Sequence, residues 1–203
     1  MIVEFLGVSG VGKTTIAKKY FEDQLKTGRM VWSSHTIYSN TGWFKRNIKK
    51  AVHVITFSVM HFNWVIRLLN YLRKNLRIDD IFKMLFNCIY LRYTQLKTLK
   101  KYEIIIFDEG IIQYYWAIHL RNDKEISTED FREFSRLYNL PDYLYFIDAE
   151  EKIIAERLLN RGEYTKILDS KNLTHRILEM QNVERKIINI LPKSIKIKEI
   201  CNN

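Results

Sequence analysis

The sequence predicts an α/β protein, a parallel sheet of about five strands with helices on both faces, and three observations predict it. Short apolar runs alternate with segments whose apolar residues recur every three or four positions, the order in which strands and helices build parallel sheets. One run, Glu103-Ile104-Ile105-Ile106-Phe107, is continuously apolar after its first residue, as a strand buried on both faces must be. The first run, Ile2 to Leu6, passes through a glycine-rich turn, GVSGVGKT, directly into a segment of helical period.

That turn, Gly7 to Thr14, satisfies G-x-x-x-x-G-K-[ST] at every required position. Glycines at 7, 10 and 12 admit backbone angles that other residues avoid. The amides of Gly7, Val8, Ser9, Gly10, Val11, Gly12, Lys13, Thr14 and Thr15 can therefore converge on polyphosphate oxygens at the positive end of the following helix. Lys13 adds a point charge for the β and γ phosphates, and the Thr14 hydroxyl is placed to meet Mg²⁺. The expected cofactors are thus ATP and Mg²⁺. A glycine-rich turn can be only a turn, but one between a strand and a helix has the context phosphate binding needs. The fold class is accordingly a three-layer P-loop NTPase fold with a helical insertion.

The remaining elements follow in order. Thr14 to Lys26 reads as the first helix, ended by Gly28 at a position suited to a left-handed cap. Met30 to Ser34 is a second strand, and His35 to Gly42 a polar connection. The insertion, about Trp43 to Lys101, reads as two long helices. Phe44, Ile48, Val52, Ile55, Val59, Phe62, Ile66 and Leu69 make one apolar stripe. Asp79 or Asp80 caps the second helix, whose stripe is Phe82, Leu85, Ile89, Leu96 and Leu99. No Pro-, Gly- or Ser-rich linker bounds this segment, so residues 1–203 are expected to form a single domain.

The strand ending at Phe107 leads into Asp108-Glu109-Gly110. Ligands of parallel sheets bind at the carboxyl ends of the strands, where Asp108 and the loop both fall. Asp108 is the candidate metal carboxylate, with a turn-capping acid as the plain alternative. Glu109 is the candidate general base, provided the turn at Gly110 brings both acids to one site, because neighbours on a strand point to opposite faces. Helices at about Ile112 to Leu120 and Thr128 to Tyr138 follow, the latter capped by Ser127 or Thr128. A fourth strand spans Tyr143 to Ile147, and a helix spans Glu150 to about Asn160. A further helix runs from Leu173 to Ile190, and Ser194 to Ile200 makes the last strand.

The stretch PDYLYFIDAEEKIIAERLLNRGE, Pro141 to Glu163, resembles the strand, helix and lid of thymidylate kinases and their deoxynucleoside and nucleoside-monophosphate kinase relatives. The resemblance covers the loop and the strand before Asp108 as well. It implies phosphoryl transfer from ATP to a nucleoside or nucleotide, with a lid at about 157–170 in which Arg157 and Arg161 close over the phosphates. Cations around the transferred group are what that chemistry needs, though arginines at a helix end are also favoured by the helix dipole alone. Two departures leave the acceptor open. Thymidylate kinases usually carry Asp-Arg where this chain has Asp108-Glu109. Many relatives also place an acid and a proline where Ser33-Ser34-His35-Thr36 stand.

Charge is distributed unevenly. Trp43 to Lys101 holds thirteen Lys and Arg against Asp79 and Asp80, leaving 20 basic and 21 acidic residues elsewhere, so this segment carries the whole excess of the net +10. Its expected partner is anionic: a phosphorylated small acceptor, nucleic acid or an anionic membrane surface, unless it is only a solvated face. The rival to a kinase is therefore an NTPase that hydrolyses ATP and binds a polymer or membrane through these helices. A homodimer is also compatible with the sequence. Cys88 and Cys201 are too few for a disulfide framework or zinc site, and together with the absence of a signal peptide they suggest a cytoplasmic protein. The histidines lack metal-ligand spacing. Among the aromatics Trp43, Trp64, Trp116, Tyr114 and Tyr115 could stack on a base, with Trp64 favoured as core.

Overall fold

A computed structural model describes residues 1–34, 43–122, 124–162 and 170–202, and their side chains except at 43–46, 170 and 171. The elements are β1 (Ile2–Leu6), α1 (Lys13–Lys26), β2 (Val31–Ser33), α2 (Trp43–Met60), α3 (Phe62–Asn75), α4 (Ile78–Thr98), β3 (Ile104–Phe107), α5 (Ile111–His119), α6 (Thr128–Ser135), β4 (Tyr143–Asp148), α7 (Glu151–Asn160), α8 (Ser170–Ile190) and β5 (Lys196–Cys201). The polar connection expected at His35 to Gly42 lies outside the described residues.

All five strands are parallel, in the order β2-β3-β1-β4-β5. This is the α/β P-loop NTPase architecture the sequence predicts. Val3 stands opposite Ile106 on one side and Tyr143 on the other, so β1 is the middle strand. Every residue of β1 and β3 is buried, which explains the continuous apolar run of β3 and, around Glu4, that of β1. The edge strand β5 is mostly exposed, and Lys196 and Lys198 lie over the rings of Tyr143 and Tyr145. Helix α1 covers one face, where Tyr20 meets Phe5 and Tyr145. Helix α5 packs on β1 and α8.

The insertion departs from the sequence reading. Three helices form it, not two, because the first breaks at His61 and α2 and α3 meet at a bend of 105°. Neither Gly nor Pro marks the break. Its cause is packing: Val54 and Phe57 of α2 are buried on the side that meets α4, whereas Leu68, Tyr71 and Leu72 of α3 are buried toward α4 and α6. One straight rod could not satisfy both. Trp64 donates to the Leu137 carbonyl at 2.8 Å, and its ring meets Phe57 and Tyr138 edge-on, the core position expected. Most of the expected stripe, from Ile48 to Ile66, faces outward, and Phe82 and Leu99 are exposed in α4. Asp79 and Asp80 lie in the first turn of α4 rather than at its cap, which is Arg77 and has no side-chain cap bond.

The helices are tied together through Asp130. Its Oδ2 accepts hydrogen bonds from Tyr71 at 2.8 Å and Tyr115 at 2.9 Å and sits 3.0 Å from His119 Nε2, which joins α3, α5 and α6. Burial works against ionisation there, but these donors hold the Asp130 carboxyl below its ordinary range. Ser127 caps α6 by accepting from the Asp130 amide, as expected.

Glu4 is the charged residue within β1, and it is buried. Its carboxylate accepts the amides of Ile111 at 2.9 Å and Ile112 at 3.1 Å and so caps α5. Burial nonetheless pushes its pKa up to about 7 from 4.5, against those two amides. An acid whose folded pKa is raised contributes stability that is full below the unfolded value and lost as pH climbs to the folded one. Between pH 4.5 and about 7 this group should cost the fold about 3 kcal/mol. Urea unfolding across that window should show the loss in the wild type, with the Glu4→Gln curve flatter by that amount.

Candidate active site

The phosphate loop is built by close approach. Gly12 caps α1 with a φ of 99° that side chains disfavour, and a Cβ there would sit 2.4 Å from the Asn202 amide nitrogen. The contact exists because the C-terminal tail returns to the loop. Asn202 donates through Nδ2 to the Val11 carbonyl at 2.7 Å and through its backbone amide to the Asp148 carbonyl at 2.8 Å. Thr14 and Thr15 are exposed in the first turn of α1, and Ser9 is exposed at the tip of the loop.

The Lys13 ammonium lies back along the loop, donating to the carbonyls of Gly7 and of Val8, the latter at 3.1 Å. Burial lowers its pKa, while the negative charges of Glu184, Glu109 and Asp108 oppose that fall and Arg161 adds to it. Glu184 is not among the expected site residues. It lies fully buried on α8, and neither carboxylate oxygen has a hydrogen-bond partner among the described residues. Burial raises its pKa well above the ordinary value, and the Asp148 charge adds to the rise against Lys13 and Arg185. Asp148, at the end of β4, is held by Gln181 at 2.6 Å and by Arg185 at 2.7 Å.

Across the carboxyl end of the sheet, Ser34 and Asp108 pair reciprocally. The Ser34 hydroxyl donates to Asp108 Oδ1, and the Asp108 amide donates to Ser34 Oγ at 3.2 Å. Asp108 and Glu109 line one small hollow of about 30 Å³, together with Trp32, Ser34, Tyr90, Thr94, Phe107 and Tyr114. That volume holds about two waters, well below the range of small-molecule sites. Both acids line the same space, though not through a turn at Gly110. Desolvation raises the Glu109 pKa, the Asp108 charge raises it further, and Lys13 and Lys50 pull it down. Gly110 is extended, not turned, at φ −112° and ψ −160°. It is required for space: a Cβ there would stand 2.1 Å from the Glu4 carboxyl carbon.

The Thr14 hydroxyl and the Asp108 carboxylate are oxygen donors that suit Mg²⁺, which uses one or two carboxylates plus phosphate and water rather than a protein cage. Among the described residues no group of three or more His, Cys, Asp or Glu could form such a cage.

The paired arginines go to different places. Arg157 donates to the Asn202 carbonyl at 3.1 Å, beside the loop. Arg161 is exposed at the end of α7, and its charge is felt by Lys13. The expected lid continues through 163–169, outside the described residues. Of the aromatics considered for stacking, Tyr114 lines the hollow. Tyr115 is buried on Asp130, Trp116 donates to the Met180 carbonyl at 3.1 Å, and the Trp43 side chain lies outside the described residues.

No protein-family model matches the chain, and comparison with the curated proteins gives no match. Among solved structures it is similar to a deoxyadenosine kinase from M. mycoides with bound dATP. The TM-score is 0.51 at 16% identity, over 100% of this chain and 91% of that one. At this identity the likeness is one of fold, and it agrees with the P-loop architecture described above.

Proposed function

We propose that this protein is an ATP- and Mg²⁺-dependent kinase that phosphorylates a small acceptor, a nucleoside or nucleotide, and that it works in the cytoplasm. The observation that supports this most is the joining of two half-sites at one end of the sheet. The phosphate loop with Lys13 faces a separate, aromatic-walled hollow that ends in Asp108 and Glu109. Simple hydrolysis needs no second, aromatic-lined hollow. The bound dATP of the structural neighbour and the resemblance of Pro141 to Glu163 to thymidylate kinases and their relatives favour the same acceptor class.

In this reading the loop amides and Lys13 hold the donor phosphates. An acceptor oxygen attacks the γ-phosphorus, the bond to the bridging oxygen breaks, ADP departs and the acceptor proton passes to Glu109. Bound at Thr14 and Asp108, Mg²⁺ would supply positive charge to the phosphates. Ser34 keeps the Asp108 carboxylate in place, and Arg157 and Arg161 supply positive charge from the lid side.

The test is phosphate transfer from ATP across a panel of nucleosides and nucleotides. Acceptor-dependent ADP formation supports the kinase. Hydrolysis indifferent to every acceptor but stimulated by DNA, RNA or anionic vesicles would establish the NTPase reading instead. Glu109→Gln should lower kcat about tenfold, since a loose transition state asks little of the base. It should also remove the acid limb of the pH profile. In the wild type that limb should lie above the ordinary carboxylate range, because the base works ionised and its pKa is raised.

A further inference from the structure

We infer that the elbow between α2 and α3 docks on an anionic lipid bilayer. Along the outer side of α2, Ile48, Val52, Ile55 and Val59 recur at helical spacing and are all exposed. The stripe continues through Met60 into Phe62 at the elbow, where Val59 is 77% and Phe62 64% exposed. Scattered surface apolar residues are ordinary, but a continuous stripe that ends at an exposed bend is a surface shaped for an apolar partner.

Three features choose the bilayer. The first is charge. From Gln24 to Ile78 the sequence contains no Asp or Glu. Beside the elbow, Arg67, Arg73, Lys74 and Arg136 line a groove whose one acid, Glu133, is paired with Lys74 at 2.9 Å. Arg67 also lines the hollow formed by Val59, Met60 and Phe62, so cation and apolar surface meet at one edge, as lipid headgroup and acyl chain do.

The second is commitment of the inner faces. Among the described residues no single helix is long and apolar enough to cross a membrane, and the α2–α3 pair that passes by length and composition is bent by 105°. Val54 and Phe57 are buried in the core, as are Leu68, Tyr71 and Leu72, and Tyr71 is bonded to Asp130. The pair can therefore lie on a membrane with its outer side while remaining packed on its inner side.

The third is the poor fit of other partners. Two copies pressed together here would oppose like charges. Nucleic acid would leave an aliphatic stripe in water, since stacking uses aromatic rings and the stripe offers only Phe62. A small anion would use the groove and ignore the stripe.

The test is sedimentation of the full chain, without nucleotide, with vesicles of phosphatidylglycerol mixed into phosphatidylcholine, against phosphatidylcholine alone. Binding should require phosphatidylglycerol and weaken with salt. The double variant Val59→Ser/Phe62→Ser should weaken it roughly tenfold or more, and Arg67→Ala roughly fivefold, with circular dichroism unchanged. Lys13→Ala should bind vesicles like the wild type, which keeps this proposal separate from the kinase reading. It is overturned by binding that ignores phosphatidylglycerol, or by variants that bind as well as the wild type. It is equally overturned by a chain that stays off vesicles and instead forms a dimer broken by Val59→Ser, or that retains nucleic acid through the same residues.

Discussion

Lys13→Ala is expected to lower phosphoryl transfer by about 10²-fold or more, the usual cost of removing a preorganised cation from a transition state. Lys13 is placed for this by geometry. It starts α1, so its amide belongs to the loop, while its ammonium already rests on the Gly7 and Val8 carbonyls, within a short swing of any phosphate the loop holds. The substitution has a second consequence. Glu184 is buried with no hydrogen-bond partner among the described residues, and Lys13 is the main charge that favours its ionised form. Removing the lysine leaves that carboxyl to stay protonated or pay for an uncompensated charge, so Lys13→Ala should also destabilise the fold. Adding Glu184→Gln should recover part of the stability and none of the rate. Measured side by side, kcat and urea unfolding separate chemistry from folding. If the double variant recovered activity, Lys13 would be a structural residue and the kinase reading would lose its donor half.

What could be read from the residues alone was whatever depends on local order. The phosphate loop is contiguous because a strand, a turn and a helix must follow one another to aim amides at one point. The buried strands announced themselves by continuous apolarity. Partners far apart in the chain left no such mark. Ser34 meets Asp108 across 74 residues, and Asn202 meets Val11 across 191. Two signals were nonetheless present: a lone acid, Glu4, inside an apolar strand, and another, Glu184, on the apolar side of a long helix, each in a position where a charge is costly unless it is used. The bend at His61 could not be read, since no breaker residue marks it. Helix α2 is apolar on two sides, so periodicity alone could not say whether Val54 and Phe57 or Ile48, Val52, Ile55 and Val59 would face the core. Only the position of α4 decides that.

Gly110→Ala should destabilise the protein by about 3 kcal/mol, the upper range for forcing a group into a packed site. Backbone strain is not the reason, because at φ −112° and ψ −160° any residue is comfortable. The reason is Glu4, whose carboxyl carbon, side-chain oxygen and Cγ would lie 2.1, 2.3 and 2.5 Å from the new Cβ. Glu4 cannot simply swing aside, since it holds the Ile111 and Ile112 amides and β1 is buried on all sides. Glu4→Ala alone should cost about 2 kcal/mol through those two uncapped amides. With both changes, however, the clash disappears, and the double variant should fall short of the summed losses by more than about 1 kcal/mol. Additive losses in urea unfolding would mean that the two residues do not touch. The same pair bears on catalysis, because Gly110 follows directly on Asp108 and Glu109, and any shift that relieves the clash must move the segment carrying both acids. Gly110→Ala should therefore lower kcat even where the chain remains folded, and Glu4→Ala in the same chain should return part of it.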